Sequence, residues 1–541
     1  MKFSRDKIDN LRTGAGAYSY SNVTDLLSDL ANPAGKRYSS FQQGFGRAAY
    51  TISTPDYALF VQDDWRLSTR LTVNLGLRYD YQSFASPQFP NTATAVLTAG
   101  QTRYSQDEAN AIFAQTTHFP RDKNNFGPRG GFAWDIFGNG KTSLRGGYGI
   151  YYGRVPNTFL TSPLVNTAAP GSQLNTGTFA PTVVLRDANN NVVPTPLFPN
   201  VLAIVPNRTL AMVVMSPHLQ NPLIHEGDII FEREIATNTV VSASYLFSIG
   251  RNIPQFVDLN LPNPTTTRTY TVIGGALDGQ SFTTPFFAGA RPISNAAAII
   301  EVQSTSRSRY NALVLQANRR LTQGLQFQSS YTFAKATDQG QQLGTFAPSF
   351  PTVSNPFDRS IDQGRSDLDI RHHFVASAVW EIGRSFGLDK SSVGHAIFRD
   401  FLISPIVHIS SGRPVTGFVS ASPTGGTSSG LLGSGGPQRT FFVPRGSASR
   451  PRTATVDLRL SKRFHFSEKM NLEVLAEAFN LFNHSNVTGI ENSLFTFNAA
   501  NNTLTSNTTS DRVQPFLTPT SINNNTIFTP RQVQLSVRFH F

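Results

Sequence analysis

The chain has 541 residues, 39% hydrophobic and 15% charged, with no cysteine and a formal net charge of +12 at pH 7. Disulfides and thiolate metal sites are therefore excluded, and no apolar run approaches the ~18 residues of a membrane helix, Leu210 to Met215 being the longest candidate. Arg and Lys are scattered over strand faces and turns without a dense run, which argues against a nucleic-acid partner. The abundance of Phe, Tyr, Asn, Thr, Ser and Gly favours strands and turns over helices.

In chain order, Met1-Lys2-Phe3-Ser4-Arg5-Asp6 lacks the apolar core of a signal peptide. Met1 to Arg5 reads as the stump of a strand, and residues 1–55 as that remnant followed by an outer loop. From Asp56 to Gln82 the pattern is clear. Leu71, Val73, Leu75, Leu77, Tyr79 and Tyr81 alternate with Thr72, Asn74, Gly76, Arg78, Asp80 and Gln82, which predicts a strand with one apolar and one polar face. Tyr57, Leu59 and Val61 alternate less cleanly with Ala58, Phe60 and Gln62. Arg66 to Arg70 joins the two strands as a short turn. A soluble sandwich would hide the apolar face against a second sheet, whereas a transmembrane barrel would turn it toward lipid.

Further hairpins follow. Phe126 to Trp134 and Thr142 to Tyr152 flank a turn with Asn139-Gly140, a strong hairpin signal. The second of these strands carries Leu144, Tyr148, Ile150 and Tyr152 opposite Arg145. Ile224 to Ile249 and Tyr310 to Lys335 form the next two hairpins. Strands at Ile370 to Ile382 and Phe401 to Ile409 are joined by a moderate connection. Thr453 to Phe464 and Met470 to Phe482 pair again, and Thr529 to Phe541 closes the chain. The connections at 83–125, 153–222, 250–307, 336–368, 410–450 and 483–528 are long and rich in Pro, Asn, Thr, Ser or Gly.

Short turns and long loops thus alternate, as outer-membrane barrels require with their short periplasmic turns and long extracellular loops. The parity places the chain end on the periplasmic side, whereas a sandwich has no reason to keep that rule. The expected fold is all-β, an antiparallel transmembrane barrel of about 14 strands, against roughly 22 in plugged transporters. In the last strand Val533, Leu535, Val537, Phe539 and Phe541 alternate with polar residues, resembling the signal read by the barrel assembly machinery. Trp65, Tyr79, Tyr81, Tyr151, Tyr152 and Phe464 lie at strand ends and suit aromatic girdles. Arg78, Asp80, Arg145, Arg371, Glu381, Asp457, Arg459, Glu473 and Glu477 read as charges facing the lumen.

Catalytic motifs are absent. Gly138-Asn139-Gly140-Lys141-Thr142 ends like a phosphate loop, but Asp135 stands where the upstream Gly is required. His372 and His373 are strand neighbours pointing to opposite faces, so they do not share a metal. There is no HExxH and no Cys/His cluster. Neither enzymatic activity nor a cofactor is expected.

Six segments carry a family resemblance: Phe60 to Tyr81, Phe126 to Tyr152, Tyr310 to Asp338, Phe357 to Ile382, Ile409 to Thr416 (ISSGRPVT) and Leu472 to Asn486 (LEVLAEAFNLFNHSN). They resemble the Oar-like branch of the TonB-dependent receptors, with residues 56–541 matching the C-terminal part of the barrel and no counterpart of the family's signal peptide, TonB box or plug. The resemblance implies a place in the Gram-negative outer membrane, contact with its lipid and lipopolysaccharide, and uptake of a large or scarce extracellular ligand, with the TonB complex as partner if the N-terminal parts exist. A passive outer-membrane pore or surface-exposed structural barrel is the alternative. A secreted carbohydrate-active protein is a third reading, needing two converging carboxylates.

Overall fold

A computed structural model describes residues 2–175, 178–340, 351–388, 392–467, 470–508, 514–525 and 527–541. The expected remnant's Met1, and parts of the long loops at 176–177, 341–350, 509–513 and 526, lie outside them. So do 389–391 and 468–469 in two of the connections.

Alternating side chains build strands wherever the sequence alternates, and these strands form one antiparallel meander. In chain order they are β1 (Lys2–Asp9), β2 (Ala49–Arg66), β3 (Leu71–Gln82), β4 (Phe126–Asp135), β5 (Thr142–Tyr152), β6 (Leu223–Ala236) and β7 (Thr239–Asp258). The second half comprises β8 (Ile299–Thr322), β9 (Leu325–Asp338), β10 (His372–Glu381), β11 (Phe401–Ser410), β12 (Thr453–His465), β13 (Asn471–Phe479) and β14 (Gln532–His540). Each strand pairs with its chain neighbour, and β1 and β14 are the two ends of the path. β1 covers β2 only from Ala49 to Asp56, so the same edge of β2 from Tyr57 to Arg66 has no strand beside it among the described residues.

The register keeps one face continuous across the whole sheet. Leu77 stands opposite Val61 and Pro128, Leu144 opposite Phe231 and Leu458 opposite Ala478, while Leu535 stands opposite Ala476. Outward-facing apolar side chains stay open, with Leu59 74%, Val61 67% and Leu535 77% exposed. A sandwich would have buried them. Instead the buried apolar residues sit in the long-loop layer, for example Ile52, Leu160, Phe256 and Ile300 in one cluster and Tyr270, Phe287, Phe495 and Leu504 in another. The strand wall thus has its apolar surface outside and the hydrophobic core at one end, as a membrane-spanning barrel requires. Among the described residues no helix is long and apolar enough to cross a membrane.

Turn chemistry follows the residues available. Asp135 accepts the backbone N–H groups of Gly138 at 2.9 Å and Gly140 at 2.8 Å, both glycines lying at positive φ. The residue that breaks the phosphate-loop pattern therefore builds the turn. The connection between β10 and β11 holds two short helices, Ile382–Phe386 and Ser392–Phe398. The long loops are more ordered than their composition suggests. They hold helices α1 (Val23–Ala31), α2 (Gln106–Ala114) and α3 (Asn157–Val165). Three of the loops also contribute strands to a second sheet through Ser281–Phe286, Thr266–Ile273, Thr503–Ser506, Ser493–Asn498 and Phe418–Val419.

Candidate functional site

Most of the expected charges gather on the face opposite the apolar one. On β3 Arg78 and Asp80 are two residues apart, so they share a face and pair at 2.8 Å. Arg145 of β5 reaches Glu232 of β6 at 2.8 Å, and Arg459 of β12 reaches Glu477 of β13 at 2.7 Å. Glu473 is buried between Arg538 at 3.4 Å, His540 at 3.8 Å and Arg463 at 3.9 Å. Opposite charges across neighbouring strands satisfy one another where alternation alone would stack them near like partners. Asp457 accepts the backbone N–H of Asn480 at 2.8 Å, fixing the start of the last long loop. Two charges lie at the rims: Glu381 faces Arg384 at 3.6 Å beside the short connection, and Arg371 lies over the Phe333 ring at 5.8 Å.

Register puts Trp65, Tyr79, Tyr81, Tyr152 and Phe464 on the apolar face, Trp65 and Phe464 toward the short-turn end and the tyrosines toward the loops. Tyr81 stacks on Tyr57 at 6.2 Å, and the Tyr79 hydroxyl donates to the Lys123 carbonyl at 3.0 Å. Tyr151 departs from the expected belt. Adjacent strand residues face opposite ways, so with Tyr152 on the apolar face Tyr151 falls on the polar one. Its ring there lies 4.3 Å under the Arg129 guanidinium, in space that Gly149 leaves open: a Cβ at Gly149 would come within 2.9 Å of that ring. On β14, Val533, Leu535, Val537 and Phe539 share the apolar face, and Phe539 stacks on the terminal Phe541 at 6.2 Å.

One pair on the polar face escaped the sequence reading. His372 and His373 do diverge, but His373 meets His408 of the next strand with Nε2 atoms 2.8 Å apart. The two are 35 residues apart in the chain. Only strand register could have matched them. Among the described residues no third His, Cys, Asp or Glu joins them in a metal-holding group.

A continuous two-faced meander with short turns at one end and a packed loop layer at the other defines the protein as an outer-membrane β-barrel, located in the outer membrane. Its sequence matches the family model described as "Outer membrane beta barrel domain" over residues 2–440, and the chain belongs to that family. Strands β12 to β14, beyond the matched range, continue the same sheet by register.

The chain is 22% identical over 470 residues to the TonB-dependent transporter Oar of Myxococcus xanthus, an alignment covering 83% of this chain and 37% of that protein. It therefore spans little more than a third of that relative's length. Among solved structures it is similar to the outer membrane transporter YddB of Escherichia coli, at 12% identity and a TM-score of 0.46, covering 92% of this chain and 46% of that one. It is also similar to the ferripyoverdine receptor of Pseudomonas aeruginosa, at 10% identity and a TM-score of 0.43, covering 91% and 39%. These relatives are named as transporters and receptors, not as enzymes.

Proposed function

We propose that this chain is the barrel wall and outer loops of a TonB-dependent transporter that takes up a large or scarce solute. The observation that supports it best is the cross-strand charge pairing on the polar face under a packed loop layer. Such a wall suits a solvated lumen whose mouth is shaped by loops. The similarity to Oar supports the coupling to TonB. On this reading residues 1–55 supply a first strand, an outer loop and the start of β2, and 56–541 the rest of the wall. Arg78, Asp80, Arg145, Arg459, Glu473 and Glu477 line the lumen. The apolar-face aromatics anchor the wall at the two lipid interfaces, and the Val533-to-Phe541 strand is what the assembly machinery recognises.

Deleting the coding region in its native bacterium tests the reading. Growth is compared on a panel of single scarce nutrients among the wild type, the deletion and a TonB-null strain. A growth loss shared by the deletion and the TonB-null strain is the expected result. A loss seen only in the deletion would favour a passive pore. Unimpaired growth on every nutrient would overturn uptake.

A further inference from the structure

At the long-loop end, parts of three loops surround a cavity of about 660 Å³ whose lining includes Arg413, Arg439, Arg445 and Arg450. Two of these guanidinium groups are deeply buried, Arg439 at 7% and Arg445 at 5% exposed. Protein carboxylates meet part of their demand. Arg439 donates to Asp362, and Arg445 donates to Asp338 and lies 3.6 Å from Asp367.

Part of that demand is left over. The Nε atoms of Arg439 and Arg450 are buried and have no acceptor among the described residues. The side chain of Arg413, exposed at the cavity wall, pairs with no carboxylate and no acceptor among them. Arginines at 413, 439, 445 and 450 against carboxylates at 338, 362 and 367 leave a surplus of positive charge. Burial, and then the nearby Arg445, push the Arg439 pKa down to about 10, so it stays charged at neutral pH. A buried guanidinium N–H without an acceptor is destabilising, more so because the group is charged.

The donors are also held in place. Pro414 and Val415 pair with Ser449 and Ala448, and the Arg450 N–H donates to the Arg413 carbonyl at 2.9 Å. Gly412 permits this contact, because a Cβ there would lie 1.8 Å from the Arg450 carbonyl oxygen. The ISSGRPVT segment thus fixes Arg413 beside Arg450. Leu368, Val415, Phe418 and Ile490 supply apolar wall, which strengthens any ionic contact made inside.

We propose that this cavity is a binding site for a small, multiply charged oxyanion, a solute bearing carboxylate or phosphate groups, held by Arg413, Arg439 and Arg450. Guanidinium forks match the oxygen spacing of both groups. The proposal depends on the uptake reading only in treating that solute as cargo. Binding stands apart from it.

The test is calorimetry on the refolded full chain in detergent, with citrate and inorganic pyrophosphate as probes. Binding of at least one probe is expected in the micromolar range and should weaken with added salt. Loss of one charge-assisted contact should weaken it about tenfold or more in Arg413→Gln and in Arg450→Gln. Arg186→Gln, in a different loop, should leave it unchanged. Arg413→Gln alters an exposed, unpaired side chain, so its folding is not at risk. Displacement of citrate by purified lipopolysaccharide would make a membrane headgroup the source of the oxyanion, and failure to displace it a free solute. No binding of either probe at millimolar concentration, or binding that both variants leave intact, would overturn the proposal. Binding that persists while growth proves independent of TonB removes the uptake reading alone. TonB-dependent growth without binding removes only this one.

Discussion

Replacing Leu77 with Arg tests the facing of the whole wall. Leu77 lies near the middle of β3, between Val61 of β2 and Pro128 of β4 on the apolar face, and is 43% exposed. No acidic residue stands directly beside it in the register. An Arg at the midplane of a barrel's lipid face costs about 2–4 kcal/mol, roughly 30- to 1,000-fold in the folded-to-unfolded ratio. Leu75→Arg should cost less, because Asp63 stands directly across from it on the same face. Asn74→Arg should be nearly neutral. Asn74 is on the polar face and donates to Asp64 at 2.6 Å, a partner an Arg can keep. Urea titration of folding into liposomes, read by heat-modifiable mobility on gels, gives the three values side by side. The order Leu77 worst, then Leu75, then Asn74 is expected. Equal losses for Leu77→Arg and Asn74→Arg would refute the two-faced wall, and a worse loss for Asn74→Arg would invert it.

Deleting Phe541 should lower heat-modifiable barrel in the outer membrane several-fold; an unchanged yield would separate the last strand from assembly. Gly412→Val should destabilise the loop that ends at Arg450 by on the order of 1–3 kcal/mol or more, through its overlap with the Arg450 carbonyl. Limited proteolysis of 410–453 is the readout. Helix α2 should loosen in acid. Glu108 accepts the Ser105 backbone N–H at 2.8 Å, and that bond, with the Ser105 hydroxyl, holds its pKa below the usual value. Because the folded pKa is lowered, the stabilisation is complete above about pH 4.3, the ordinary Glu value, and fades as pH falls through the folded one. Protection of the amides at residues 109–112, relative to their intrinsic exchange rates, should fall in that range for the native chain and show no such acid step in Glu108→Gln.

The sequence by itself determined the wall. A strand's side chains alternate with period two, so Leu71 to Gln82 or Val533 to Phe541 declares which residues share a face without reference to any partner. Turn residues such as Asn139-Gly140 declare the reversals, and counting them sets the side on which the chain ends. The same rule, applied strictly, also separates Tyr151 from Tyr152. What only the tertiary structure decided is everything made by contacts distant in the chain. Arg439 meets Asp362 across 77 residues, and His373 finds His408 across 35. Five short strands from three loops become one sheet, with no period long enough to announce them. Loop composition resembles that of unstructured chain because the few apolar residues of each loop are scattered without a period and gather into shared clusters only in the fold. The arginine cavity belongs to this second class: ISSGRPVT is legible as a motif, but its charge acquires a purpose only where the loops converge.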